Sequence, residues 1–251
     1  MAKGEIKKML VIVAHPDDEF LWAGSFILKV HSFGIKPFII CLTNRDNLTR
    51  SREFYSACKS LGAEGAMLNY KDGGLEKLPI FDNFSKDIDE IIGRNFIGTE
   101  EIVLLLSHSP HGEEHGHRQH VETFFLASKF AHKNKIPFAF FSEKRCDDFD
   151  VLSDKMKIGD VFALKIRYRI IQNFIKRGLW RKWARHIHKV FSLKRIKYEI
   201  STETITSKKQ TLFSLYPSQA ETGKLEYDTL NSGVEYVYTE NIKFIEDGIH
   251  T

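Results

Sequence analysis

The chain has 251 residues, of which 42% are hydrophobic and 28% charged, so it is long enough for one large α/β domain or two small ones. No apolar stretch approaches about 20 residues, which argues against a membrane-spanning helix, and the N-terminal residues lack the apolar core of a signal peptide. The cysteines Cys41, Cys58 and Cys146 form no CxxC pair, which favours free thiols in a reducing cytoplasm.

Short apolar runs alternate with segments of helical spacing along the first 142 residues. The apolar runs, which predict strands buried on both faces, are residues 7–15, 36–43, 66–70, 101–108 and 136–142. The segments with helical spacing are residues 23–34, 49–62, 81–94 and 117–135. This alternation predicts a doubly wound, Rossmann-like α/β fold, a three-layer sandwich around a mostly parallel sheet.

Two polar loops rich in histidine follow two of the predicted strands. The sequence AHPDDE, residues 14–19, lies at the carboxyl end of the first strand, and SHSPHGEEHGHRQH, residues 107–120, ends a later one. Ligands of doubly wound folds bind outside the carboxyl ends of the strands, where the strand order reverses. We therefore expect the two loops to meet at one edge of the sheet.

The residue types in these loops favour a divalent metal site. His15 and Asp18 are three residues apart, as are His117 and His120. Two imidazoles and one carboxylate can hold zinc and leave a position open for water, whose pKa the metal lowers towards about 7. A neighbouring carboxylate that is not a ligand can take the proton of that water, and Asp17 is adjacent to do so.

A second interpretation of each loop needs no metal. The acids of AHPDDE could be a polar cap at the start of the next helix. An HxxH pair is a weak signal on its own, and we expect His108, His111 and His115 to be polar loop residues. Three adjacent acids repel one another unless a cation or a helix dipole compensates them, and this favours the metal.

Several motifs resemble one known family. AHPDDE resembles the signature of the zinc-dependent N-acetylglucosaminyl-phosphatidylinositol deacetylases, the PIG-L or LmbE-like family. CLTNRD is similar to its TNG(D/E) loop, RSREFYSACKSLG to its R-x-x-E helix, NYKDGGL to its D-G-x-L turn and GHRQHVETF to its G-H-x-x-H helix start. SKKQTLFSLYPSQ is similar to the late K-x-x-x-L…Y-x-SQ helix. The resemblance covers about residues 7–141 and 207–220.

The resemblance implies a ligand set and catalytic roles. His15, Asp18 and His120 would hold Zn²⁺, or another divalent ion in its place. Asp17 would be the general base that activates water. His117 would stabilise the tetrahedral intermediate or protonate the leaving amine.

The resemblance also implies a substrate. Arg50 and Asp46 would be substrate contacts. The reaction would be hydrolysis of the N-acetyl group of an N-acetyl-hexosamine glycoconjugate or precursor, such as a surface glycan or a lipid-linked sugar, to acetate and a free amine.

The sequence departs from the family pattern at two places. Many members have Pro-Asp between the two histidines, where the Asp steadies the first imidazole, but this chain has Arg118-Gln119. Because Gln119 carries no charge, we expect imidazolium at His117 to be less favoured. Arg45 replaces the glycine of the TNG loop, and we expect it to narrow the pocket or to contact an anion.

Residues 142–200 are not explained by the resemblance, and we predict that they form a basic, helical insertion. Residues 155–198 contain 14 Lys or Arg and one acid, whereas the whole chain has 37 basic and 33 acidic residues. LWRKWARHIHKVF, residues 179–191, predicts a basic amphipathic helix with Trp180 and Trp183 on its apolar face. That face either packs on the core or forms a lid that contacts an anionic glycan or membrane. Nucleic acid fits less well, because no binding motif accompanies the charge.

Taken together, these features predict one deacetylase domain over residues 1–251, with the insertion within it. We expect a cytoplasmic enzyme, or one peripheral to the inner face of the membrane. The alternative is a non-catalytic, metal-containing glycan-binding or scaffold protein of the same fold. Asp17 favours the enzyme, because a binding protein needs no spare carboxylate beside its metal. A nucleotide-binding protein is disfavoured by the absence of a GxGxxG turn after the first strand.

Overall fold

The computed structural model describes residues 7–71, 83–95, 101–109, 117–142, 194–199, 207, 210–211, 214–220 and 234–239. The strands are β1 (Lys8–Val13), β2 (Lys36–Thr43), β3 (Glu64–Tyr70), β4 (Ile102–Ser107), β5 (Phe138–Ser142), β6 (Lys194–Glu199) and β7 (Val234–Thr239). The helices are α1 (Asp18–Ser32), α2 (Leu48–Ser60), α3 (Phe84–Asn95), α4 (Arg118–Lys133) and the short α5 (Pro217–Ala220).

The described strands form one sheet in the order β3-β2-β1-β4-β5-β7-β6. Strands β1 to β5 are parallel, and β7 pairs antiparallel with both β5 and β6. The chain runs outwards from β1 through β2 to β3 and then returns to the other side of β1 with β4. The strand order therefore reverses between β1 and β4, which is where such folds bind ligands. The predicted doubly wound, mostly parallel sheet is confirmed.

The sheet is buried on both faces, as the continuous apolar runs predict. On β1, Met9, Val11 and Val13 belong to one cluster of buried residues, and Leu10 and Ile12 belong to the other. Helices α1 and α2 pack on the first face, and α3 and α4 pack on the second. This is the three-layer arrangement expected from the alternation of strands and helices.

Helix α1 begins five residues earlier than the sequence pattern predicts, at Asp18 rather than Ala23. The carbonyl of Asp17 accepts hydrogen bonds from the N–H groups of Phe20 and Leu21, so the acids of AHPDDE form the entry to the helix. Asp18 and Glu19 lie in its first turn, where the helix dipole favours negative charge. Asp17 is the N-cap residue, but its side chain makes no capping hydrogen bond, so the acids start the helix without capping it and their side chains are free to serve the metal interpretation.

The predicted insertion ends in a strand rather than a helix. Residues 194–199 form β6, which pairs with β7 at the edge of the sheet. The sequence KRIKYE alternates in polarity, which suits an edge strand better than a helix. The predicted amphipathic helix over 179–191, with Trp180 and Trp183, lies outside the described residues.

Two further predictions concern cysteines and membranes. Cys41 and Cys58 are buried free thiols, and Cys146 lies outside the described residues. In the part of the chain that the structure describes, no helix has the length and apolar character needed to cross a bilayer.

Candidate active site

The loop between β1 and α1 is held by hydrogen bonds at successive residues. Thr43 donates its hydroxyl to the carbonyl of Ala14 at 2.8 Å, and the N–H of His15 donates to Asp18 Oδ2 at 2.7 Å. Asp17 has a φ of 110°, a backbone conformation that favours glycine and that a residue with a Cβ adopts under strain. Surrounding contacts must hold the loop in this conformation.

Three side chains from the two loops converge at the point where the strand order reverses. His15 Nδ1 lies 3.1 Å from His120 Nε2 and 3.3 Å from Asp18 Oδ2. His120 Nε2 lies 3.3 Å from Asp18 Oδ1. A tetrahedral zinc ion with bonds of about 2.0–2.1 Å separates its ligand atoms by roughly 3.3 Å. The spacing and the donor types of these three residues therefore fit a divalent metal.

Two more histidines border this cluster. Ligand atoms lie within 4.8 Å of one another in the group His15, His117 and His120, and also in the group Asp18, His108 and His120. His108 is fully buried, its Nε2 lies 3.3 Å from Asp18 Oδ2, and its ring stacks on His120 at 4.0 Å between centroids. The expectation that His108 is only a polar loop residue is wrong, because it follows β4 at the reversal of strand order. His111 and His115 lie outside the described residues.

Asp18 is the member of the cluster whose carboxyl has a lowered pKa. Burial alone would raise its pKa, but the imidazoles of His120 and His108 outweigh burial and hold the pKa well below its usual value. The indole N–H of Trp22 donates to Asp18 Oδ1 at 3.2 Å. Asp18 is therefore an ionised, oriented carboxylate, which is the form that binds a cation.

Asp17 differs from its neighbour Asp18 in environment and in the pKa of its carboxyl. Desolvation raises the pKa of its carboxyl to about 6, although the guanidinium of Arg50 opposes the shift. Arg50 Nη2 donates to Asp17 Oδ2 at 3.0 Å. A carboxylate whose pKa lies near neutrality is suited to accept a proton from water.

Arg50 is buried next to the loop between β1 and α1, and its guanidinium donates hydrogen bonds to other residues of the protein. It is 8% exposed, and its Nη2 donates to the carbonyl of Pro16 as well as to Asp17. Its Nη1 donates to Glu53 at 3.2 Å. These bonds give Arg50 a part in holding Asp17, and its contact with substrate stays a prediction.

Asp46 lies in the loop between β2 and α2, on the same edge of the sheet. Its carboxylate accepts hydrogen bonds from Arg45 Nε at 3.2 Å and from Asn69 Nδ2. Asp46 and Arg45 are exposed, and their side chains pair with each other. Their predicted contacts with a substrate or an anion stay predictions.

Gln119 is buried and contacts a histidine of the first loop. Its Oε1 accepts a hydrogen bond from His15 Nε2, and its Nε2 donates to the carbonyl of Lys71 at 3.4 Å. A proton on Nε2 of His15 leaves the lone pair of Nδ1 directed at Asp18 and His120. The side chain at position 119 thus pairs with His15, and not with His117 as its place in the motif suggests.

His117 caps the start of α4 beside the cluster. Its ring centroid lies 4.8 Å from that of His15 and 4.5 Å from that of His120. Burial of the ring among its neighbours and the imidazoles of His120 and His15 lower the pKa of His117, although the residue as a whole is exposed. The direction agrees with the expectation that imidazolium is disfavoured here, although the cause is the surroundings of the ring rather than Gln119.

Solved structures of similar fold include three deacetylase structures. A deacetylase of the teicoplanin biosynthesis pathway has a TM-score of 0.59 at 14% identity, over 93% of this chain and 97% of that chain. The zinc-inhibited form of teicoplanin deacetylase gives 0.59 at 13% over 93% and 97%, and the deacetylase of A40926 pseudoaglycone gives 0.55 at 13% over 94% and 97%. At these low sequence identities, the similarity shows only that the fold is shared.

The sequence comparisons give the family. No curated protein matches the chain. The family model of GlcNAc-PI de-N-acetylase, PIG-L, matches residues 10–131, which include both polar loops and the whole cluster of histidines and acids. The resemblance of this chain to the PIG-L family is thus confirmed over residues 10–131.

Proposed function

We propose that the protein is a zinc-dependent hydrolase that removes the N-acetyl group from an N-acetyl-hexosamine glycoconjugate or its precursor, such as a surface glycan or a lipid-linked sugar. One observation carries the proposal: ligand atoms of His15, Asp18 and His120 lie 3.1–3.3 Å apart, beside a second carboxylate, Asp17, that is held separately. The family is named for removal of acetyl from N-acetylglucosamine, and the three solved structures described above are of deacetylases, which supports this reaction and substrate class.

We assign His15, Asp18 and His120 as the metal ligands. Their two imidazoles and one carboxylate are a common ligand set of hydrolytic zinc sites, which keep one position open. When bound, the ion polarises the amide carbonyl and lowers the pKa of water. His108 lies beside the same carboxylate, with its Nε2 3.3 Å from Asp18 Oδ2.

Asp17 is the general base in this proposal. Its carboxylate takes a proton from the attacking water, and the protonated carboxyl then passes that proton to the departing amine, which makes the amine a good leaving group. Arg50 holds the carboxylate through a 3.0 Å hydrogen bond. A pKa of about 6 leaves Asp17 ionised at neutral pH and able to release the proton again.

His117 donates a hydrogen bond to the oxygen of the tetrahedral intermediate. Its lowered pKa keeps the imidazole neutral at pH 7, so it carries an N–H but no transferable excess proton. This favours stabilisation of the oxyanion over protonation of the leaving amine, of the two roles that the family resemblance implies.

An amine-release assay tests the proposal. Zinc-free protein and protein loaded with one equivalent of zinc are each given a panel of free and carrier-linked N-acetyl amino sugars. One equivalent is used because a deacetylase of similar fold has a zinc-inhibited form. We expect metal-dependent release of amine and acetate, absent from metal-loaded Asp17→Asn. Binding of a sugar without release of amine by the wild type would contradict the proposal and favour the glycan-binding alternative.

We also propose a cytoplasmic protein whose basic residues 155–198 contact an anionic membrane or glycan. The charge imbalance of this segment supports the proposal. Each basic residue near an anionic bilayer contributes about 1 kcal/mol, and salt screens the attraction. Replacing Arg181, Lys182, Arg185 and Lys189 by Gln should therefore reduce co-sedimentation with anionic vesicles at low salt. Equal binding to anionic and neutral vesicles, or none, would contradict the membrane contact.

A further inference from the structure

Ser218 binds both carboxylate oxygens of Glu53, a residue 165 positions earlier in the chain. Its N–H donates to Glu53 Oε1 at 2.8 Å, and its hydroxyl donates to Glu53 Oε2 at 2.7 Å. Ser218 lies in α5, outside the residues that the family model matches. A segment remote in sequence therefore fixes the orientation of a buried acid on α2.

Glu53 passes this constraint to the catalytic loop. Its Oε2 accepts a hydrogen bond from Arg50 Nη1 at 3.2 Å, and the other terminal nitrogen of Arg50 donates to Pro16 O and to Asp17 Oδ2. Glu53 is 6% exposed and Arg50 is 8% exposed, so water has little access to either side chain and competes weakly for their hydrogen bonds. The route from Ser218 through Glu53 and Arg50 ends on the carboxylate of Asp17.

Tyr216 provides a second route that ends on the backbone of the same residue. Its hydroxyl donates to Glu19 Oε1, and Glu19 Oε2 accepts the N–H of Asp17 at 3.2 Å. Tyr216 is fully buried, and the guanidinium carbon of Arg50 lies 5.4 Å from the centre of its ring. The two routes therefore start two residues apart and converge on Asp17.

Asp17 needs this support because of its backbone. A φ of 110° is strained for a residue that carries a Cβ, and the chain relaxes from it when nothing opposes relaxation. Relaxation would rotate the carboxylate away from its place beside the metal ligands. Contacts with both the side chain and the N–H of Asp17 oppose that rotation.

We propose that Tyr216 and Ser218 are positioning residues, which hold the general base in place through Glu19 and through Glu53 and Arg50. The C-terminal segment thus contributes to an active site whose other residues, among those that the structure describes, lie in the first 120 positions. This inference rests on the proposed function in that it takes Asp17 to be the base.

Kinetics of variants give the first test. Ser218→Ala and Tyr216→Phe should each lower kcat about tenfold, the effect of losing one buried hydrogen bond to a carboxyl group, and leave KM unchanged. Ser218→Thr keeps the hydroxyl and should restore most of kcat. Ser214→Ala is the matched control, because exposed Ser214 donates to the carbonyl of Thr211 and has no part in either route. Equal kcat in the wild type, Ser218→Ala and Tyr216→Phe would overturn the proposal.

Hydrogen–deuterium exchange gives a second test that needs no activity. In the zinc-loaded protein, amides of residues 14–21 should exchange several-fold faster in Ser218→Ala and Tyr216→Phe than in the wild type or Ser214→Ala. Amides of β2 should be unchanged. Unchanged exchange at 14–21, or faster exchange throughout the protein, would overturn the positioning role. If the wild type released no amine, the proposed function would fail, whereas the exchange result would still decide whether this segment holds the loop.

Discussion

The loops that follow β1 and β4 meet at the same reversal of strand order, but they are built differently. In the first loop, residues 14–17 are held by hydrogen bonds to four side chains. These are Thr43 of β2, Asp18 of α1, Arg50 of α2 and His108, which follows β4. In the described part of the second, Ser107 donates to Ile12 O at 2.8 Å, and the helix α4 then presents Gln119 and His120 from its first turn.

The two loops therefore contribute to the proposed site in different ways. The first loop places two acids of opposite role side by side: Asp18 is kept ionised by His120 and His108, and Asp17 is desolvated and bound to Arg50. The second loop contributes one proposed ligand, His120, from a regular helix, and its orientation follows from helix geometry. Changes to either acid of the first loop should therefore abolish chemistry, whereas in the second loop the size of the effect should depend on whether the residue is a proposed ligand.

The largest effect is expected at the three proposed metal ligands, which come from both loops. His15→Ala, Asp18→Ala and His120→Ala should each remove most of the bound zinc, because three protein ligands leave no redundancy. Metal content after equilibrium dialysis against a zinc buffer measures this, with circular dichroism to show that the variant is folded. A folded variant with full occupancy would show that the residue is not a ligand.

Asp17→Asn tests the part of the first loop that is not a ligand. The variant should keep its zinc and lose kcat by roughly 10²–10⁴-fold, the usual contribution of a general base. The amide keeps the size of the side chain and can still accept from Arg50, so the fold is preserved. A kcat close to that of the wild type, measured with zinc bound, would place the base elsewhere.

His117→Ala is the corresponding change in the second loop. It should keep zinc and lower kcat by about 10²–10³-fold, the range seen when one donor to an oxyanion is removed. Steady-state kinetics at fixed zinc occupancy measure this effect. Loss of zinc from this variant would instead make His117 a ligand, in keeping with its place in one of the two histidine groups.

The sequence was sufficient to predict the parts of this site that depend on local pattern. Buried strands β1 to β5 appear as continuous apolar runs, and the polar residues that end β1 and β4 are recognisable because the strands stop there. The start of α1 was missed because Asp18 and Glu19 look like loop residues, although a helix favours acids in its first turn. His108 was missed because its burial depends on β4 lying next to β1.

No pattern in the sequence predicts the contacts between distant segments. Ser218 and Glu53 are 165 residues apart, and nothing in either motif indicates that they meet. The hydrogen bonds of Arg50 to Asp17 and Glu53 likewise have no sequence signal, because a motif records which residue is present but not what it faces. Strands β6 and β7 were missed because their alternating residues at the sheet edge lack the apolar runs of the central strands.

The smallest effect is expected at Gln119, which joins the two loops without being a ligand. Gln119→Leu should weaken zinc binding by about 10–100-fold, because the hydrogen bond that fixes the tautomer of His15 is lost. Gln119→Glu should keep the acceptor, add a negative charge that makes His15 a more basic ligand, and tighten zinc binding. Competition with a chromophoric chelator at fixed pH measures both affinities, and Thr123→Ala, one turn further along α4, is the control for a general effect on the helix. Equal zinc affinities for the wild type and both Gln119 variants would show that the link between the loops does not act on the metal.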